Sequence, residues 1–226
     1  MTPSFQDIKS TKIEVLISLI TDRAPCPLRR ILVVGCGSGH EAGILARKFG
    51  AETIGIDLGE EFLFDHIGSY PAKLMQMDAQ SLDFADGQFD LVFSFHALEH
   101  ITDPELALKQ MSRVLRPGGF FCIGTPNKSR LIGYVGSATT LGNKIRWNWN
   151  DWRMRLAGRW DNAKGAHAGF TAKELLGLCH AVFGEAHDIS GDYYKTLYRL
   201  PAVRKLIVSP LRTLFLPCVY VVGVRV

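Results

Sequence analysis

The chain has 226 residues, 47% hydrophobic and 21% charged, enough apolar material for a substantial core and too much for a disordered or fibrous protein. Its five cysteines (Cys26, Cys36, Cys122, Cys179, Cys218) are odd in number and form no CxxC pair, which argues against a disulfide framework or zinc site and for free thiols in a reducing compartment. The net charge of +4 is uneven: residues 1–126 carry 11 Lys+Arg against 16 Asp+Glu, whereas residues 127–226 carry 15 against 6. An acidic front and a basic back suggest different work, or charges that merely solvate separate faces.

The opening MTPSFQDIKSTK lacks the basic and apolar regions of a signal peptide, and no apolar run reaches the ~18 residues of a spanning helix, so a cytoplasmic protein is expected. FQDIKSTKIEVLISLI reads as an N-terminal helix. Ile31 to Val34 is a continuous apolar run, as a strand buried on both faces requires. Gly35, Gly37 and Gly39 then permit a tight turn and bring bare backbone toward a ligand. A helix follows with Ala42, Leu45, Ala46 and Phe49 on one stripe, Gly50 stops it, and TIGID is a second buried strand ending in Asp57. A carboxylate there is placed to accept from both hydroxyls of a ribose. The glycine spacing is G-x-G-x-G, and His40 stands where the dinucleotide fingerprint has its third glycine. The turn therefore suits a nucleoside without a pyrophosphate.

From VVGCGSG onward the chain resembles the class I S-adenosylmethionine-dependent methyltransferases, small-molecule type. GIDLGEEF is similar to the family's ribose-binding strand end. MQMDAQSLDFADGQFDLVFSFHALEHITDPELALKQMSRVLRPGGFFCIGTPN is similar to the rest of its core, so the likeness runs over roughly residues 30 to 127. The resemblance implies an α/β fold: a Rossmann-like, mostly parallel seven-stranded sheet with helices on both faces, plus an insertion after the fifth strand. It also implies S-adenosyl-L-methionine as cofactor, bound by Gly35, Cys36, Gly37, Gly39, Asp57, Leu58, Asp78, Ala79 and Phe95. Asp78-Ala79 would hold the adenine amino group. Val33 stands where the family often has an acid for the methionine amino group, leaving that contact to backbone carbonyls near Gly35 or to another side chain. Asp103-Pro104 independently reads as a helix cap followed by proline at the first helical position, with RPGG as that helix's exit.

FHALEH follows the fourth strand and faces the methyl group. His96 and His100 are four residues apart, so one helical turn sets them on one face, with Glu99 adjacent. Three readings stay open: a general base, worth ~10²–10⁴ for a hydroxyl nucleophile; a metal site, since the letters resemble the E-x-x-E-H motif of ubiquinone-pathway and small-RNA methyltransferases with His96 for the first acid; or histidines that pack on cofactor and substrate. No metal is predicted. His167 precedes the capping box Thr171–Glu174 and resembles a histidine bordering the family's acceptor pocket; a turn histidine bonded to backbone is the alternative.

The chain is expected to be a single domain: an N-terminal cap (1–29), a cofactor-binding core (30–127), an acceptor-facing insertion (128–166) and C-terminal helices and closing strands (167–226). The insertion holds all four tryptophans, Trp147, Trp149, Trp152 and Trp160, threaded between Arg146, Arg153, Arg155 and Arg159. Trp147, Trp149 and Trp152 are taken as acceptor-binding. Indole with guanidinium suits an amphiphile at an anionic membrane surface, stacked RNA bases, an enclosed acidic or aromatic metabolite, or ordinary packing over the core. The stretch YRLPAVRKLIVSPLRTLF adds a second basic amphipathic segment, from Arg199 and Leu200 through Val203 to Phe215, which suits either an anionic bilayer surface or a core-facing helix with snorkelling cations, and CVYVVGVRV reads as the closing strand. Two cationic-apolar segments favour peripheral membrane contact more than RNA, because the second offers aliphatic side chains in place of stacking rings. The expected activity is methylation of oxygen or nitrogen on a small or lipid-like biosynthetic acceptor. RNA methylation and a nucleoside-binding protein without turnover are the alternatives.

Overall fold

A computed structural model describes residues 5–25, 27–59, 71–134, 139–198 and 201–226, with side chains from residue 11 onward except at 202 and 203. Cys26, Arg199, Leu200, the side chain of Val203 and the Glu60–Phe62 end of the ribose segment lie outside the described residues. The strands are β1 Arg30–Val34, β2 Glu52–Asp57, β3 Lys73–Gln76, β4 Phe89–Phe95, β5 Leu115–Pro126, β6 Gly184–Asp188 and β7 Cys218–Arg225. They form a seven-stranded sheet in the order β3-β2-β1-β4-β5-β7-β6. The first five are parallel, and β7 runs antiparallel to both β5 and β6.

Successive residues of β1 serve opposite faces, which is why the apolar run is unbroken. Ile31 and Val33 pack with Leu16 and Ile20 of α1 (Phe5–Thr21), Leu45 of α2 (His40–Phe49) and Tyr193 of α6 (Ser190–Leu197). Leu32 and Val34 pack with Leu108 and Met111 of α3 (Pro104–Val114) and Leu175 and Phe183 of α5 (Ala172–Phe183). Val33, 1% exposed, is thus a core residue under α1, where an acid would be a buried charge. Asp103 caps α3, its Oδ1 accepting from the Leu106 N–H at 2.9 Å. The RPGG segment differs from expectation. The helix ends at Val114 and β5 begins at Leu115, so Arg116–Gly119 run inside the strand, where the register against β4 shifts and Gly118 has φ 70°. The glycine there makes a bulge in place of a loop.

Helix α4 (Leu141–Leu156) belongs to the insertion, while α7 (Pro201–Val208) and α8 (Arg212–Phe215) precede β7. Polar anchors hold the insertion to the core. The Arg130 guanidinium, 6% exposed, meets Asp151 of α4 at 3.3 Å and donates to the carbonyls of Asn127 and Ala168. Arg155 donates to the Lys128 and Arg130 carbonyls, and Trp160 donates to that of Lys128 at 2.9 Å. The Trp160 ring lies under both guanidiniums, 4.1 Å from Arg155 and 4.9 Å from Arg130. Part of the arginine and tryptophan supply is therefore spent on holding the insertion down.

Burial raises the Asp151 carboxyl more than Arg130 lowers it, so the pair gains little over water. Removing one member is another matter, because it strands the other. Asp151→Ala should lower unfolding free energy by about 3 kcal/mol, the low end for a broken buried pair because Arg130 keeps its carbonyls and ring contact. Denaturant titration of variant and wild type measures it, and a loss below about 1 kcal/mol would place the anchor elsewhere.

Candidate active site

The carboxyl ends of β1, β2 and β4 open onto a cavity of about 330 Å³. Its lining includes Gly35, Gly37, Asp57, Leu58, Asp78 and Ala79, with His96 and His100 closing one end. The three glycines of the turn have three different reasons. A Cβ on Gly35, at φ 73°, would lie 2.1 Å from that of Ala97, so β1 and the β4 exit touch there. Gly39, at φ 78°, sits against the Leu74 side chain of β3 and does not line the cavity. Only Gly37 of the three has open space where its Cβ would be, and its N–H donates to Asp57 Oδ2 at 2.8 Å. Asp57 Oδ1 accepts from the Gly59 N–H at 3.2 Å, so one carboxylate ties the glycine turn to the end of β2. Asp78 is held likewise: its Oδ1 accepts from the Gln80 N–H at 2.8 Å and its two oxygens lie 3.2 Å from Gln80 Nε2. Gln80 Oε1 in turn accepts from the N–H of Asp103, the cap of α3. Gln80, a lone amide between two motifs, carried no signal in the sequence.

Cys36 and Phe95 do not line this cavity. The Cys36 thiol is buried in the core, which pushes it up to about 12, and the Phe95 ring packs on His96 at 4.4 Å and on Tyr220 at 6.1 Å.

A second, larger cavity of about 950 Å³ adjoins the first, and His100, Ile101 and Thr102 line both. Glu99, Lys128, His167, Phe170 and Lys173 are among its walls. At the junction stands a histidine–carboxylate cluster. His96 takes φ 57° and His167 φ 46°, a left-handed backbone costing of order 1–3 kcal/mol at non-glycine residues and common at functional sites. His96 Nε2 lies 3.3 Å from Cys218 Sγ, and its Nδ1 lies 3.9 Å from Glu99 Oε1. The same Glu99 oxygen lies 3.9 Å from His100 Nε2, and the His100 and His167 rings meet edge to face at 4.6 Å. Burial lowers both His96 and His100 and raises Glu99 to about 6. Glu99 Oε2 has no hydrogen-bond partner, a buried acceptor facing nothing that could satisfy it within the chain. Among the described residues no group of three or more His, Cys, Asp or Glu is arranged to hold a metal ion.

Lys12 of α1 and Cys218 of β7 also belong to this neighbourhood, since both act electrostatically on groups around His96. Neither lay in a recognisable motif. Trp147, Trp149 and Trp152 line neither cavity: Trp147 packs on Tyr134 at 5.1 Å, Trp152 donates to the Leu131 carbonyl at 3.1 Å, and Trp149 is 66% exposed.

A mostly parallel sheet whose last strand is antiparallel, with a glycine turn after β1 and a carboxylate closing β2, is the framework of the class I S-adenosylmethionine-dependent methyltransferases. The cleft fits that cofactor: bare backbone at Gly37, an acceptor-only carboxylate at Asp57 and a volume within the range of ligand sites. Residues 32–123 match the model of a family described as a methyltransferase domain. Over 191 residues, 78% of this chain and 79% of the relative, the sequence is 27% identical to the ubiquinone biosynthesis O-methyltransferase of Pseudomonas aeruginosa. Over 105 residues, 43% of this chain and 30% of the relative, it is 36% identical to the chloroplastic tocopherol O-methyltransferase of Arabidopsis thaliana. In fold it is similar to the YcgJ protein of Bacillus subtilis, with a TM-score of 0.59 at 18% identity over 96% of this chain and 98% of that one. The domain match, the named relatives and the sheet topology support a class I S-adenosylmethionine-dependent methyltransferase with S-adenosylmethionine as its cofactor.

Glu99 makes the site's charge measurable. Its folded pKa is raised above the unfolded value of 4.5, so the native state holds the proton more tightly and stability falls as pH rises from 4.5 to about 6. Above that window the wild type carries the whole cost, about 2 kcal/mol. Glu99→Gln should therefore gain about 2 kcal/mol over wild type between pH 4.5 and pH 7. Paired denaturation curves test it; a difference independent of pH would mean that the carboxylate is not desolvated.

Proposed function

We propose that the protein methylates an oxygen or nitrogen, with a hydroxyl favoured, on an apolar small or lipid-like molecule held in the larger cavity. The observation that carries this reading is the wall shared by the two cavities, where His100 faces both and stands beside Glu99 and His167. The names of the two relatives, both O-methyltransferases, support a hydroxyl acceptor.

Bound S-adenosylmethionine supplies a methyl group already activated on a sulfonium. The chain's own residues bind, align and move a proton. When the cofactor binds in this cleft, Asp57 would accept from its ribose hydroxyls, Asp78 and Ala79 would border its adenine, and the Gly35–Gly37 backbone would lie against the nucleoside. Partial desolvation and the neighbouring His167 and His96 lower the His100 pKa and favour its neutral ring, so a ring nitrogen is free to accept the acceptor's hydroxyl proton. The imidazolium so formed is stabilised by the Glu99 carboxylate, 3.9 Å away. His96, engaged by Cys218, serves as a wall of the cofactor compartment. RNA draws less support, because the Trp160 ring is already covered by the Arg155 and Arg130 guanidiniums and is not open for base stacking.

Two measurements separate the cofactor and base assignments. Asp57→Ala should weaken S-adenosylmethionine binding at least about tenfold by calorimetry, the scale of lost hydrogen bonds to a charged group. Unchanged affinity would remove the ribose role. With alkyl-substituted phenols and catechols as acceptors, His100→Gln should lower kcat by about 10²–10⁴ and leave cofactor affinity alone. In the wild type kcat should fall on the acid side, at a pH below the ordinary imidazole value of 6.5, because burial favours the neutral ring. An acid limb that persists unchanged in His100→Gln would assign the proton to another group.

A further inference from the structure

Helix α4 presents an apolar edge outward. Leu141, Ile145, Trp149, Trp152 and Leu156 are spaced four, four, three and four apart, which places them within an arc of roughly 80°. They are 74%, 64%, 66%, 39% and 82% exposed. An ordinary surface helix turns such a stripe into the core; here the flank next to it, roughly 90° round the helix, does the anchoring. Asp151, Asn148 and Arg155 bind Arg130, the Gly133 backbone and the Lys128 and Arg130 carbonyls. The orientation of the stripe is therefore imposed by polar contacts on the adjacent flank of the helix and by the Trp152 indole at its inner edge.

Cations flank it. Arg146 and Arg153 lie exposed on the helix, and Arg159 and Lys164 frame a shallow depression just beyond its end. Among the described residues none of Arg146, Arg153, Arg159 and Lys164 has a carboxylate within ion-pair distance. A second patch continues the first. The Leu131 carbonyl receives the Trp152 indole and the Leu131 N–H donates to the Leu214 carbonyl of α8, so the segment around half-exposed Ile132 joins the two regions. Beyond it Val208 and Leu211 are 66% and 55% exposed beside exposed Arg204 and Lys205.

We infer that this face docks on an anionic lipid bilayer, with the α4 stripe at the level of the acyl boundary and the arginines among lipid phosphates. Aliphatic and indole side chains rimmed by unpaired cations match the two layers such a surface offers, apolar beneath and negative above. The insertion continues directly from Arg159 into Asp161–Gly165 on the wall of the larger cavity, so docking brings that cavity's edge near the lipid. That last point rests on the acceptor reading above; the docking itself does not.

The test is flotation of the full chain with phosphatidylcholine vesicles, with and without phosphatidylglycerol, at low and high salt. Binding should require the anionic lipid, weaken with salt, and place Trp149 in reach of bromine-labelled acyl chains by fluorescence quenching. Trp149→Glu with Leu156→Glu, both exposed and clear of either cavity, should cut the bound fraction at least tenfold while S-adenosylmethionine affinity and turnover of a water-soluble phenol stay unchanged. Charge reversal at Arg146 and Arg153 should remove the lipid preference and keep the fold. A wild type that never floats overturns the inference, as does a Glu double variant that floats equally well. So does a dimer in sedimentation that the double variant dissolves, which would assign the stripe to a second copy. Loss of flotation with turnover intact counts against docking alone; absent turnover on every phenol with flotation intact counts against the acceptor reading alone.

Discussion

A parallel sheet covered on both faces has one place left for chemistry. Its interior strands are closed to water by α1, α2 and α6 on one side and by α3 and α5 on the other, so polar groups gather where strands end. Gly35, Asp57, Asp78 and His96 come from four separate stretches of the chain and meet for that reason alone. The close approach of Gly35 to Ala97 draws the β1 and β4 ends together, and Asp57 then ties the glycine turn to β2. The cofactor cleft is a consequence of packing, with a few hydrogen bonds setting its detail.

The same burial governs the charges. Glu99 is buried next to His96, which is largely enclosed, and half-exposed His100, whose charge is further disfavoured by His167 and His96, so ionisation in this region is costly. Such a cluster adds little to stability. It holds groups whose protonation is easily changed by a ligand's charge, which is what the proposed proton transfer at the junction of the two cavities needs. The cost is borne by the well-packed sheet beneath.

The insertion solves an opposite problem. It must project from a rigid core and still be oriented, and it has no large apolar face turned inward to do so. Arg130, Arg155, Asp151 and the indoles of Trp152 and Trp160 fix it through carbonyls and stacked cations. Because polar contacts do the holding, the helix is free to turn its apolar side chains to the outside.

Much of this was written locally in the chain. The unbroken Ile31–Val34 run, the glycine turn, Asp57, the Asp103-Pro104 cap and the Thr171–Glu174 box are short-range signals, since each depends on neighbours within a few residues. By itself the sequence therefore determined the α/β core, the cofactor and the identity of the histidines near it. It did not determine which side chains meet across the sheet. Gln80 on the Asp103 cap and Cys218 on His96 are joined by topology over long separations in sequence, and Glu99 meets His96 across an uncommon backbone turn. Nor could periodicity tell which way α4 faces: an apolar stripe reads the same whether it points inward or outward, and the buried Arg130–Asp151 contact with its polar neighbours on the adjacent flank decided that.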